Sequence, residues 1–288
     1  MFKKIFNRKA AKNLAIAAGV ALVLAGAAIT VKDEIYYNFF YDGNGSAADN
    51  TACPEGTNVA LINIHGTIID YKIDPAVDPN ESYDPDSVSA DTVAASLEDI
   101  ESDDRIKGII IEIDSPGGTP VAAEEIMNKL RTSTKPVVAF IRAQGLSAGY
   151  LIATGADKIY ASPMSDVGSI GVTMSYLDSS KKNTKDGLTY NQLSTGKFKD
   201  SGDPNKELTA EEKARFMGDL EKTHDIFVGY VAKNRNLDIE KVKKLADGSS
   251  MIAQDALNNN LIDALGGLKE AKAYLSSKID DAAAVCVY

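Results

Sequence analysis

Histidine is scarce in this 288-residue chain: there are two, His65 and His224. Any hydrolase built on a serine, a histidine and an acid has little to draw on. His224 lies deep in a helical pattern (KTHDIFVGYV), where a helix-surface or packing role is the simpler reading, and His65 precedes Gly66 at the end of a strand pattern, where a turn role is. Cysteine is equally scarce. Cys53 and Cys286 are the only two, with no C-x-x-C pair and no His/Cys cluster, which excludes a structural zinc site. In an oxidising compartment the pair would staple the start of the folded body to its C-terminal strand, but spacing alone leaves open whether they meet. A basic surplus is also missing: 31 Lys and Arg face 41 Asp and Glu, for a net charge of -10. A nucleic acid is therefore excluded as the main partner, because phosphate neutralisation needs a basic face. No repeat of 20–50 residues is present.

One long apolar run exists. Residues 14–31 (LAIAAGVALVLAGAAITV) carry no charge and follow a basic segment, 1–12, with Lys3, Lys4, Arg8, Lys9 and Lys12 and no acid. Their length suits a helix spanning a bilayer, and the basic flank keeps the N-terminus cytoplasmic and exports the rest. The expectation is a single-pass anchor over 13–31, with a cleaved signal peptide as the alternative because Ala25-Gly26-Ala27 resembles a processing site. Residues 32–57, aromatic and then rich in Gly, Ser, Ala and Asn, read as a stalk at the interface, and 58–288 as the folded body. Three prolines among acids make 70–87 a loop.

Within the body, apolar β-type runs at 59–64, 108–113, 136–141 and 158–161 alternate with helical patterns at 87–100 and 121–131 and from Ser147 onward. The order predicts an α/β fold with buried parallel strands. A capping-box pattern at Thr209–Glu212 opens a long amphipathic helix to about residue 234, and shorter helices are expected at 239–246, 253–259 and 268–277.

Two glycine-rich turns follow successive strands: Asp114-Ser115-Pro116-Gly117-Gly118, and Gly145-Leu146-Ser147-Ala148-Gly149. The second matches the G-x-S-x-G pattern of a serine on a sharp turn. Backbone N–H groups of Gly118 and Ala148 are candidates to hold an oxyanion together. With histidine short, lysine is the other base a serine can use, provided it is neutral. Lys197 and Lys199 follow a strand-like stretch, 188–193, in a turn of small residues, and spacing does not choose between them.

Five motifs in order resemble the short, membrane-anchored signal peptide peptidases: DSPGG (114–118), SAGYLIATGADKIYASP (147–163), GSIGV (168–172), GKFKDSGDP (196–204) and DGSSMIAQDALNNNLIDALGG (247–267). The resemblance covers about 58–267. It implies a crotonase/ClpP-like β-α superhelix with a helical C-terminal part, and a serine endopeptidase with a Ser-Lys dyad, no cofactor and no metal. Carried over, it makes Ser147 the nucleophile and selects Lys199 as the base. It gives the oxyanion to Gly118 and Ala148, and assigns Ser169 to orienting the lysine. Ser-Gly-Gly is replaced here by Ser147-Ala148-Gly149, which a backbone donor tolerates. The implied substrates are remnant signal peptides and other apolar or unfolded peptides at the bilayer. The implied assembly is a ring-like homo-oligomer in which Lys199 reaches Ser147 within one subunit. A non-catalytic crotonase-fold scaffold at the membrane is the alternative; an acyl-CoA enzyme of the same superfamily conflicts with export.

Overall fold

The computed structural model describes residues 53–72 and 86–288. The basic segment, the 13–31 anchor, most of the 32–57 stalk and most of the 70–87 loop lie outside the described residues. Among the described residues no helix is long and apolar enough to cross a membrane.

The centre of the body is three long parallel strands, β1 (Val59–Ile69), β3 (Gly108–Gly118) and β4 (Val137–Leu146). Their residues alternate between two cores. Ala60, Ile62 and Ile64 of β1, Ile109, Ile111 and Ile113 of β3, and Val137, Ala139 and Ile141 of β4 face one side. Val59 and Leu61, Ile110, and Val138 and Phe140 face the other. Burial on both faces explains why these strands read as continuous apolar runs rather than as a polar/apolar alternation. The first face is covered by α1 (Ala90–Ser102), α2 (Pro120–Thr132), α3 (Ala148–Ala153) and the second half of α5 (Ala210–Arg235), through residues such as Leu97, Met127, Tyr150 and Val228. The second is covered by α8 (Leu268–Ile279), through Ala271 and Leu275.

The sheet runs β2-β1-β3-β4-β5-β8, with β2 (Ser87–Ser89), β5 (Lys158–Ala161) and β8 (Ala264–Leu265) at its flanks. β9 (Val285–Val287) lies beside the start of β1, β6 (Asp166–Gly168) beside the end of β4, and β7 (Ser250–Ile252) antiparallel to β6. The register slips between His65 and Thr67 and again between Ile113 and Ser115. Beyond each slip the strands continue with new neighbours, so the expected strands at 59–64 and 108–113 run on, β3 as far as Gly118. The glycine-rich turn read at 114–118 is thus the last stretch of a strand. Gly66 makes the first slip possible: a Cβ there would sit 1.4 Å from the Asp86 carbonyl oxygen.

The helices fall close to the expected spans, including α6 (Ile239–Leu245) and α7 (Ala253–Asn258). The box at the start of α5 is complete: the Glu212 N–H donates to Thr209 Oγ1 at 3.2 Å, and the Thr209 N–H donates to Glu212 Oε2 at 2.9 Å. The strand-like stretch 188–193 belongs to no strand. It sits, with the short α4 (Ser180–Lys185), in a segment of mostly exposed residues from 173 to 200. Leu188 is 62% exposed and Leu193 fully so. The alternation is present, but no neighbouring strand is there to receive it.

Cys53 and Cys286 form a disulfide, Cα–Cα 5.7 Å. Cys53, placed by sequence in the stalk, is buried. The Asn58 side chain adds to the closure, accepting from the Ala284 N–H at 2.9 Å and donating to the Ala282 carbonyl at 3.0 Å.

Candidate active site

Ser147 stands between the end of β4 and the first residue of α3. Its backbone has φ 51° and ψ -118°, a left-handed conformation that costs a non-glycine residue about 1–3 kcal/mol. Neighbours enforce it. The Ser147 N–H donates to the Gly168 carbonyl of β6 at 2.8 Å, and the Leu151 N–H of α3 donates to the Ser147 carbonyl at 3.0 Å. The hydroxyl-bearing carbon therefore projects from the turn, half-buried, toward the end of β3.

That end is shaped by glycine. A Cβ on Gly117, which has φ 120°, would lie 2.9 Å from Ser147 Cβ and 3.3 Å from its Oγ. A Cβ on Gly118 would lie 1.9 Å from the Ile68 carbonyl oxygen, closer than any side chain allows. Ser115, fully buried, pins the same stretch: its Oγ donates to the Gly66 carbonyl at 2.6 Å and accepts from the Gly117 N–H at 3.1 Å. Gly149 closes against Ser115, since a Cβ there would be 3.2 Å from Ser115 Cβ. The sequence reading took the two turns as neighbours; the Ser115–Gly145 strand pairing and these close approaches are what bring them together.

Two cavities meet at Ser147 and Gly118. The larger, about 660 Å³, is bordered by Ser169, His224, Asp247 and Gly248. The smaller, about 350 Å³, is bordered by Ala148 and by apolar side chains of α2, α3 and α5. Ala148 begins α3, so its N–H has no acceptor within the helix and is free for a ligand at this junction. Gly118, Ala148 and Ser147 are thus brought to one place.

Ser169 also reaches this place. It follows β6 with φ 50°, its N–H donates to the Ser249 carbonyl at 3.0 Å, and its Oγ donates to the Gly248 carbonyl at 3.1 Å. His224, read from sequence as a packing residue, is half-buried on the wall of the larger cavity. Its Nε2 lies 3.0 Å from the Ala246 carbonyl, so that nitrogen carries the proton and donates to it. His65 is exposed, 3.9 Å from Asp114, and borders neither cavity.

Lys199 is not brought to Ser147. It is exposed, borders neither cavity, and its ammonium has no ion-pair or hydrogen-bond partner among the described residues. Lys197 is committed elsewhere, paired with Glu211 at 2.6 Å. The turn carrying both lysines is tied to the start of α5. Glu212 is buried there, accepting from Lys206 Nζ at 2.8 Å and from Ser201 Oγ at 3.1 Å. The Lys206 ammonium, followed by the Thr209 amide, holds its carboxyl down at about 2.

A mostly parallel sheet covered on both faces, with a strained serine capping a helix at the strand ends, fits a ClpP-like α/β fold. The Clp protease profile matches residues 83–167. The profile of peptidase family S49 matches residues 129–280, more than half of the chain, and the chain belongs to that family. Protease 4 of Haemophilus influenzae is 32% identical over 222 residues, covering 74% of this chain and 33% of that protein. The chloroplastic serine protease SPPA of Arabidopsis thaliana is 30% identical over 223 residues, covering 76% and 32%. A protein of Methanocaldococcus jannaschii, named only provisionally as a protease, is 35% identical over 177 residues, covering 61% and 57%. The chain thus spans from about a third to somewhat over half of these relatives.

Proposed function

We propose that the chain is a membrane-anchored serine endopeptidase that uses Ser147 as nucleophile and Lys199 as general base. The observation that carries the reading is the strained Ser147 turn packed against Gly117 and Gly118, in a chain of peptidase family S49. Neutral Lys199 takes the Ser147 proton, and Oγ attacks the peptide carbonyl. The Gly118 and Ala148 N–H groups hold the tetrahedral oxyanion, and Lys199 returns the proton to the leaving amine. Water then attacks the acyl-enzyme with the same base. Ser169 lines the cavity in which the lysine amine has to sit, and orients it there.

Lys199 arrives from a second copy of the chain. Its exposed position and the exposed apolar side chains of its segment, Leu177, Leu188 and Leu193 among them, support a homo-oligomer in which one subunit's segment enters its neighbour's cavity. The expected reach within one subunit gives way to this reading. Residues 13–31 anchor the body on the extracytoplasmic face of the bilayer, and the substrates are remnant signal peptides and other apolar or unfolded peptides. Peptide hydrolysis in detergent, abolished in Ser147→Ala and in Lys199→Ala, tests the dyad; undiminished cleavage in either variant refutes it.

A further inference from the structure

The smaller cavity at Ser147 is bordered by one charged residue, Glu124, set among apolar side chains and the hydroxyls of Ser147, Thr173, Thr223 and Tyr230. Val121, Leu151, Val172, Ile226 and Phe227 form its sides, and no Lys or Arg borders it. Glu124 of α2 borders it as well, and the Tyr230 hydroxyl of α5 donates to Glu124 Oε1. The carboxylate raises the pKa of the Tyr230 hydroxyl, with burial adding to the effect, so that hydroxyl stays a donor at neutral pH and fixes the carboxyl group against the wall. Glu124 Oε2 has no partner among the described residues and is left to a ligand.

Both oxyanion candidates, Gly118 and Ala148, border this cavity. A peptide carbonyl held by them places the side chain on its acyl side next to the opening. Resting on the peptidase reading, we propose that the cavity takes that side chain and that Glu124, positioned by Tyr230, selects a long cationic one, lysine or arginine. The apolar walls suit the methylene stem, and the carboxylate takes the charged tip. Repulsion from the Glu124 carboxylate disfavours an acidic side chain in the same place.

The test is a series of fluorogenic peptides, identical except for lysine, norleucine or glutamate at the residue whose carbonyl is attacked, cleaved by the full chain in detergent. Norleucine matches the lysine stem without its charge. The wild type is expected to prefer lysine over norleucine by at least about tenfold in kcat/KM and to cleave the glutamate peptide least. Glu124→Gln is expected to bring the lysine/norleucine ratio to about one. A wild-type ratio near or below one overturns the inference, and it does so even if the variant fails to fold. A ratio that Glu124→Gln leaves unchanged also overturns it, reducing Glu124 and Tyr230 to a tie between two helices. Cleavage of the norleucine peptide alone sinks this inference while the peptidase reading stands; no cleavage of any peptide sinks both.

Discussion

Reducing the Cys53–Cys286 disulfide should cost the body a large part of its stability. The bond closes a loop of 233 residues. In the chain-entropy treatment a loop of that size raises the free energy of the unfolded chain by about 5.5 kcal/mol, just above the range of about 0–5 kcal/mol that disulfides deliver. For a body of this size each kcal/mol moves the melting temperature by about 2–4 °C, so the expected fall is about 10–20 °C. Locally the bond holds β9 beside β1, with the Tyr288 N–H donating to the Leu61 carbonyl at 2.9 Å, so edge opening should begin there. Scanning calorimetry with and without a phosphine reductant measures the shift. The Cys53→Ser/Cys286→Ser variant should melt with the reduced wild type and ignore the reductant. Oxidised and reduced forms melting within about 2 °C of each other would refute the reasoning.

Gly118→Ala places a Cβ 1.9 Å from the Ile68 carbonyl, so the end of β3 must shift. A loss of about 100-fold or more in kcat is expected, as for losing one oxyanion donor, and wild-type kcat would refute the role given to that turn. Glu212→Gln should loosen the turn carrying Lys199, seen as faster amide exchange over 196–209 at neutral pH. Glu212 has its pKa lowered from the usual 4.5 to about 2, so its contribution is fully present above pH 4.5 and is lost as pH falls through about 2. The melting-temperature gap between wild type and Glu212→Gln should therefore close across that window; a gap that ignores pH would contradict the assignment.

The four longer strands and the long helices were legible because their signals are local. Runs such as GIIIEI need only both-face burial to read as parallel strands, and Thr209 with Glu212 announces the start of α5 within four residues. The short strands β2, β6, β7 and β8 were not legible, since two or three residues carry no period and depend on distant partners; the C-terminal strand expected around Cys286 is β9. Residues 188–193 show the converse, a strand-like pattern without a neighbour. At the site, Ser147, Gly118 and Ala148 were readable from two turns on adjacent strands. His224 was not, because its place on the cavity wall depends on Ala246 at the far end of α6. Glu124 and Tyr230 were missed for the same reason: 106 residues separate them, and only the packing of α2 beside α5 joins them. Lys199 was singled out by resemblance, and only the structure shows that it is exposed and borders neither cavity at Ser147.

The central claim is that Ser147 and Lys199 act together across two copies of the chain. Co-assembly of Ser147→Ala with Lys199→Ala, each inactive alone, tests it directly. Mixed assemblies that recover peptide hydrolysis, by pairing an intact serine with an intact lysine from its neighbour, are the predicted result. Mixed assemblies as inactive as their parents would contradict it.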